Sequence, residues 1–310
     1  MFAGLKNAGA VFASIARVPV RHPALLAPLI LVWCAYAPIS VYLYFYFPWS
    51  DLDAYTAFAV LFGSIFLISY LISLASFILL EQIRTIENGQ SPGLGRPLSV
   101  GVWNSFRALH VTLIWAFIWF LITVAEIILR SRDETDPSEQ SEPTAQNVAE
   151  FLAGAEQFSF SGMVFDGLRK GVRMIAFLIF PAIAWERYDK PIRRGLGVAM
   201  SHKGEFASGF LLTEAAAGVV FIPPFIVFML ADQTDVPFPD WTWFAVIIYC
   251  GFAWSFAILL EQLFTAELYL WDMKWRKACE AAVDRDAAVP ELADVKRPSI
   301  LDDVPDMKAD

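Results

Sequence analysis

The chain has 310 residues and a formal net charge of −9 at neutral pH; 57% of its residues are hydrophobic and only 18% are charged. A soluble domain carries about a quarter charged residues and an unfolded chain is poor in apolar ones, so both classes are excluded. The acidic balance also argues against a nucleic-acid partner.

In chain order, residues 1–22 place Phe2, Leu5, Phe12 and Ile15 on roughly one helical face, while Lys6, Asn7 and Arg17 interrupt any signal-peptide core. This pattern predicts an amphipathic helix lying on the inner leaflet. Crossing about 30 Å of hydrocarbon takes about 20 apolar residues. Residues 23–50, 54–80 and 241–260 carry no charge; 206–231 carry only Glu214; 108–125 are uncharged and continue through Glu126 to Leu129. A sixth segment, 174–185, is uncharged but only 12 residues long. Either it lengthens backward through Gly162–Arg173 or it is re-entrant. The expectation is an all-α polytopic membrane bundle with about six transmembrane helices, at about 24–48, 55–80, 107–130, 165–186, 206–231 and 241–265, plus interfacial amphipathic helices.

An acidic loop at 131–160, with Asp133, Glu134, Asp136, Glu139 and Glu142, separates the third and fourth spans. It reads as a solvated segment followed by a short helix, Val148–Phe158, capped by Asn147. Residues 271–310 form a tail that continues the last span as an amphipathic helix and is expected to be mobile beyond Asp284. Eighteen of the 23 Lys and Arg residues fall on one side of this threading; the other five are Arg130, Arg132, Arg169, Lys170 and Arg173. That asymmetry predicts cytoplasmic termini, with the chain in the cell's inner (plasma) membrane. The three cysteines, Cys34, Cys250 and Cys279, lack a CxxC pattern, and no disulfide, metal or cofactor is expected.

Two internal echoes stand out. Ser76-Phe77-Ile78-Leu79-Leu80-Glu81-Gln82 closes the second span, and Ser255-Phe256-Ala257-Ile258-Leu259-Leu260-Glu261-Gln262 closes the sixth, with Thr85 and Thr265 following at equal distance. Arg96-Pro97-Leu98-Ser99-Val100 resembles Arg194-Gly195-Leu196-Gly197-Val198. The unit reads as span, amphipathic helix, span, used twice in one orientation. Pro38, Pro181 and Pro223-Pro224 fall inside spans and are expected to kink or break them.

Glu214 lies about 12 Å into its span by helical rise, where a carboxyl is costly and should face the bundle interior or water. It binds a proton or cation, or it ties helices together. Glu81, Glu186 and Glu261 each end an inward-running span, with His22, His110 and His202 near the same boundary. They are either a relay or ordinary interfacial polar residues. Glu126 is four residues before Arg130, a surface-pair spacing. Asp166, Arg169, Lys170 and Arg173 share one face and suggest a basic external lip or a snorkelling edge.

Pro181-Ala182-Ile183-Ala184-Trp185-Glu186, followed by Ala199-Met200-Ser201 and Gly204, resembles a pattern in uncharacterised bacterial and archaeal six-span membrane proteins. The membrane domain attached to some glycerophosphodiester phosphodiesterases is similar. The likeness covers about residues 96–265. It implies a multi-span helical fold and carries no catalytic residues to this chain.

Three functional readings follow. The first is a non-enzymatic scaffold or accessory subunit that meets lipids and protein partners through its amphipathic helices, external loop or tail. The second is a transporter or channel-like protein using the bundle interior around Glu214. The third is a lipid-active enzyme, which requires Glu81, Glu186, Glu261 and His202 to converge.

Overall fold

The computed structural model describes residues 15, 17–87, 93–133, 160–186, 189–233 and 238–295. The helix expected through Phe2, Leu5 and Phe12, the Asn147-capped helix with most of the acidic loop, and the tail from 296 onward lie outside the described residues. Among the described residues every regular element is helical. Short turns at Val18–Arg21 and Pro23–Leu26 lead into α1 (Ala27–Phe45). There follow α2 (Ala54–Glu87), α3 (Gly95–Arg107), α4 (Leu109–Asp133), α5 (Phe160–Ala184), α6 (Pro191–Ser201), α7 (Lys203–Gln233) and α8 (Asp240–Asp284). Five of these, α1 with its leading turn, α2, α4, α7 and α8, are long and apolar enough to cross a membrane. The chain is therefore an all-α membrane protein. With 45 residues, α8 is about 68 Å long by helical rise, over twice the hydrocarbon thickness. Its last turns project beyond any bilayer.

The segment that hydropathy undervalues, α5, lies at the centre of the core. Met174, Leu178 and Ala182 are fully buried, and α5 packs against α2, α4 and α8. Phe77 and Phe180 bring α2 and α5 together with ring centroids 4.9 Å apart, and Trp115 of α4 packs edge-on to Phe177. Its second half is enclosed by these helices, while Val164 and Leu168 near its start stay exposed; the charges of the first half lower its hydropathy without excluding it from the bundle.

The short helices α3 and α6 are inverted relative to a soluble surface helix. Pro97, Gly101, Asn104 and Ser105 of α3, and Arg194, Gly195, Val198 and Ala199 of α6, face the bundle. Leu98, Trp103 and Phe106 of α3, with Leu196 and Met200 of α6, point outward. Small and polar inside, apolar outside is the pattern of a helix lying in a membrane interface.

Glycine sets how closely each approaches. A Cβ on Gly101 would come within 3.0 Å of the Ile78 backbone nitrogen, and one on Gly195 within 2.8 Å of Ile179 Cα. In both helices a proline stands four residues earlier, Pro97 and Pro191. Packing thus aligns Gly101 with Gly195, a register different from the Arg96–Arg194 match that the sequence suggests. Backbone contact, rather than charge, defines the equivalence.

The prolines do not break their helices: α1, α5 and α7 run on through Pro38, Pro181 and Pro223-Pro224. Pro224 cannot donate to the Val220 carbonyl four residues back. The Tyr249 hydroxyl of α8 does so instead, at 3.0 Å. In lipid a freed carbonyl must find such a partner. Tyr249→Phe should therefore loosen the α7–α8 hairpin by about 1 kcal/mol, read as a lower unfolding midpoint in detergent; an unchanged midpoint would refute this role.

Beyond Asp284 the expected mobility does not hold as far as Val295. Asp286 adopts φ 53°, the left-handed conformation usual where a chain turns off a helix. The Trp275 indole then donates to the Pro290 carbonyl at 2.9 Å and the Trp271 indole to Val295 at 3.1 Å. Leu292 and Val295 pack on the core. Trp271 is 1% exposed and anchors the returning strap.

Candidate functional site: two charged layers

The first layer is built on α5, whose face carries Asp166, Arg169, Lys170 and Arg173 at helical spacing. Arg169 hydrogen-bonds Glu126 of α4 and lies 3.4 Å from Asp166. Lys170 reaches Glu214 of α7 at 2.5 Å and Glu261 of α8 at 3.6 Å, with its ammonium 5.0 Å from the Phe210 ring centre. Arg173 forks onto Glu261, Nε to Oε2 at 2.7 Å and Nη2 to Oε1 at 2.8 Å. One central helix is thereby tied to three neighbours through paired charges.

Several sequence expectations change here. Arg169, Lys170 and Arg173 form no external lip; they are largely buried and paired. Glu126 is 2% exposed and bound to Arg169, so it serves as an interhelical group. The Arg130 side chain lies outside the described residues. Glu214 faces outward: its side chain is 62% exposed, with only its Lys170 contact turned to the bundle.

The second layer lies about 17 Å further along α8, eleven residues beyond Glu261, where α5 ends and α6 begins. Arg194 of α6 forks onto Glu186, at 2.9 and 3.0 Å, and reaches Asp272 of α8 at 2.7 Å. The Tyr269 hydroxyl donates to Glu186 at 2.9 Å. Asp272 is fully buried, and it also meets His202 Nε2 at 2.9 Å and Arg276 Nε at 2.9 Å. Asp272 thus has three cationic or donor neighbours, Arg194, His202 and Arg276, which offset the cost of burying its charge. A carboxylate only accepts, so the facing His202 nitrogen carries a hydrogen. Burial alone would lower Arg194, but Glu186 and Asp272 outweigh it and raise it above its ordinary value.

Glu81 stands apart. It is buried at the end of α2, 3.6 Å from Arg96 and 3.9 Å from Arg84. The echo between Glu81 and Glu261 survives only locally: Thr85 and Thr265 each donate to the carbonyl of their glutamate, at 2.7 and 3.0 Å. The two carboxylates do not share a level, because Gln262 hydrogen-bonds Ser76, five residues before Glu81. Glu261 therefore sits about 7 Å deeper in the bundle.

The five sequence candidates thus fall into three places. Glu214 and Glu261 meet through Lys170; Glu186 and His202 meet through Arg194 and Asp272; Glu81 meets neither. Convergence of Glu81, Glu186, Glu261 and His202, which a lipid-active enzyme would need, does not occur. Sequence reasoning missed Asp272, Arg194 and Tyr269. The readable signal was the spacing of Tyr269, Asp272 and Arg276 on one face of α8; their partners on α6 were not readable.

Comparison with family models, curated proteins and solved structures finds no significant match.

Proposed function

We propose that the chain is a multi-pass, non-enzymatic scaffold or accessory subunit of a membrane assembly, in a bacterial inner membrane with cytoplasmic termini. The observation that carries this reading is the surface of α7. Only 6% of its span window is buried, against 28–44% in the other four spans, and it presents Leu211, Val219, Ile222 and Phe225 outward. The same helix holds Glu214, an exposed carboxyl about 12 Å into the apolar run. A carboxyl turned toward hydrocarbon is costly, and a polar group on a neighbouring membrane helix removes that cost. The buried, paired state of Arg169, Lys170 and Arg173 supports the orientation, since it leaves Arg130 and Arg132 as the cations of the outer side.

Photo-crosslinkers at Val219 and Phe225, with Leu121 of α4 as a control, test this in native membranes. A discrete crosslinked protein from the α7 positions alone, weakened by Glu214→Leu, is the expected outcome. Lipid adducts alone would sink the proposal. Transport is a second reading, supported by the sharing of Lys170 between an exposed and a buried carboxylate. Ion flux in proteoliposomes that Glu214→Gln abolishes would select it; indifference to that change favours the scaffold.

A further inference from the structure

At the end of the bundle where the uncharged run of α5 stops, the α5–α6 turn opens into two adjoining cavities. One, of about 710 Å³, is lined by Glu186, Asp189, Lys190, Arg193, Arg194, Gly197 and Arg276. The other, of about 520 Å³, is lined by Pro191, Ile192, Leu196 and His110 and shares Asp189, Lys190 and Arg193 with the first. Lys190 and Arg193 are exposed and stand in the wall between a charged compartment and an apolar one.

We propose that this double cavity binds an anionic glycerophospholipid, its phosphodiester against Lys190, Arg193 and Arg276 and an acyl chain along Pro191, Ile192 and Leu196. The cation supply is specific. Arg194 is saturated by Glu186 and Asp272, so it builds the floor of the pocket. Arg276 is anchored by one contact to Asp272 while its side chain stays 42% exposed. Among the described residues Lys190 and Arg193 form no ion pair, and both line the cavity. Glu186 and Asp189 in the same wall disfavour a dianion, so a monoanionic phosphodiester fits better than free phosphate. The apolar compartment gives the second reason for a lipid: an inorganic anion has no use for it. Leu196 and Met200, exposed on the outer face of α6, place the site at the depth where headgroups and acyl chains meet.

The test uses the full chain, purified in detergent, delipidated and exchanged into nanodiscs of phosphatidylcholine with or without phosphatidylglycerol. Retained lipid is counted by native mass spectrometry. Wild type is expected to retain phosphatidylglycerol over phosphatidylcholine, and Lys190→Gln with Arg193→Gln to weaken this about thirtyfold. The exposed cations Arg107 and Lys203 lie outside the cavity, so Arg107→Gln with Lys203→Gln should retain the lipid. Equal retention by wild type and the Lys190/Arg193 variant overturns the proposal, as does equal loss in the control variant. Inorganic phosphate that displaces the lipid at millimolar concentration would mark a plain anion site and also overturn it. Circular dichroism of each variant shows that the fold persists. None of these readouts depends on a partner protein, so the site can fail while the scaffold reading stands, and the reverse.

Discussion

Glu261→Ala is expected to destabilise the protein by roughly 3–5 kcal/mol, the usual result of stripping one partner from a buried ion pair. Arg173 would be left without its forked acceptor inside the bundle, and Lys170 would keep only Glu214. Arg173→Met alone should cost a similar amount, because Glu261 is 2% exposed and would retain only the Lys170 contact at 3.6 Å. Arg173→Met combined with Glu261→Leu should recover most of the loss, since apolar side chains of similar volume need no partner. Fluorescence-detected gel filtration after heating reads all three. Single variants as stable as wild type, or a double variant no better than either single one, would show that the pair does not hold α5 to α8.

The second large effect is expected at Gly195. A methyl group there would sit 2.8 Å from Ile179 Cα and 2.9 Å from its nitrogen. Those are backbone atoms of a buried helix and cannot swing aside, so α6 itself must lift. Gly195→Ala should cost about 1–3 kcal/mol, as overpacking does. It should also disturb Arg194, the adjacent residue, and through it the Glu186–Asp272 connection. Gly101→Ala meets Ile78 less closely, at 3.0 and 3.2 Å from backbone atoms, and should cost less. Gly197→Ala provides the contrast: its nearest neighbour is an Arg276 side-chain nitrogen at 3.9 Å. There alanine should be neutral or slightly stabilising through helix propensity. A Gly195→Ala protein with the thermal stability of Gly197→Ala would refute the close-packing account.

These two sites show where reading along the chain succeeds and where it stops. The uncharged runs at 23–50, 54–80 and 241–260, and 206–231 with its single Glu214, announce their helices, because a backbone in lipid must satisfy its own hydrogen bonds. The amphipathic character of α3 and α6 is equally legible from their periodicity. The role of α5 is not. Hydropathy scores a helix against lipid, and α5 is solvated by other helices that supply Glu126, Glu214 and Glu261 to its cations. A carboxylate that looks interfacial by position, such as Glu261, proves buried for the same reason.

The sequence by itself determined that this is a helical membrane protein, and which segments are long and apolar enough to cross a bilayer, because the cost of charge and of unpaired backbone in hydrocarbon acts locally, segment by segment. Only the tertiary structure decided how its charges pair. Arg173 with Glu261, Arg194 with Asp272, and Tyr249 with the carbonyl freed by Pro224 are contacts between distant segments. Their energies depend on distance and burial, which the order of residues along a chain does not carry.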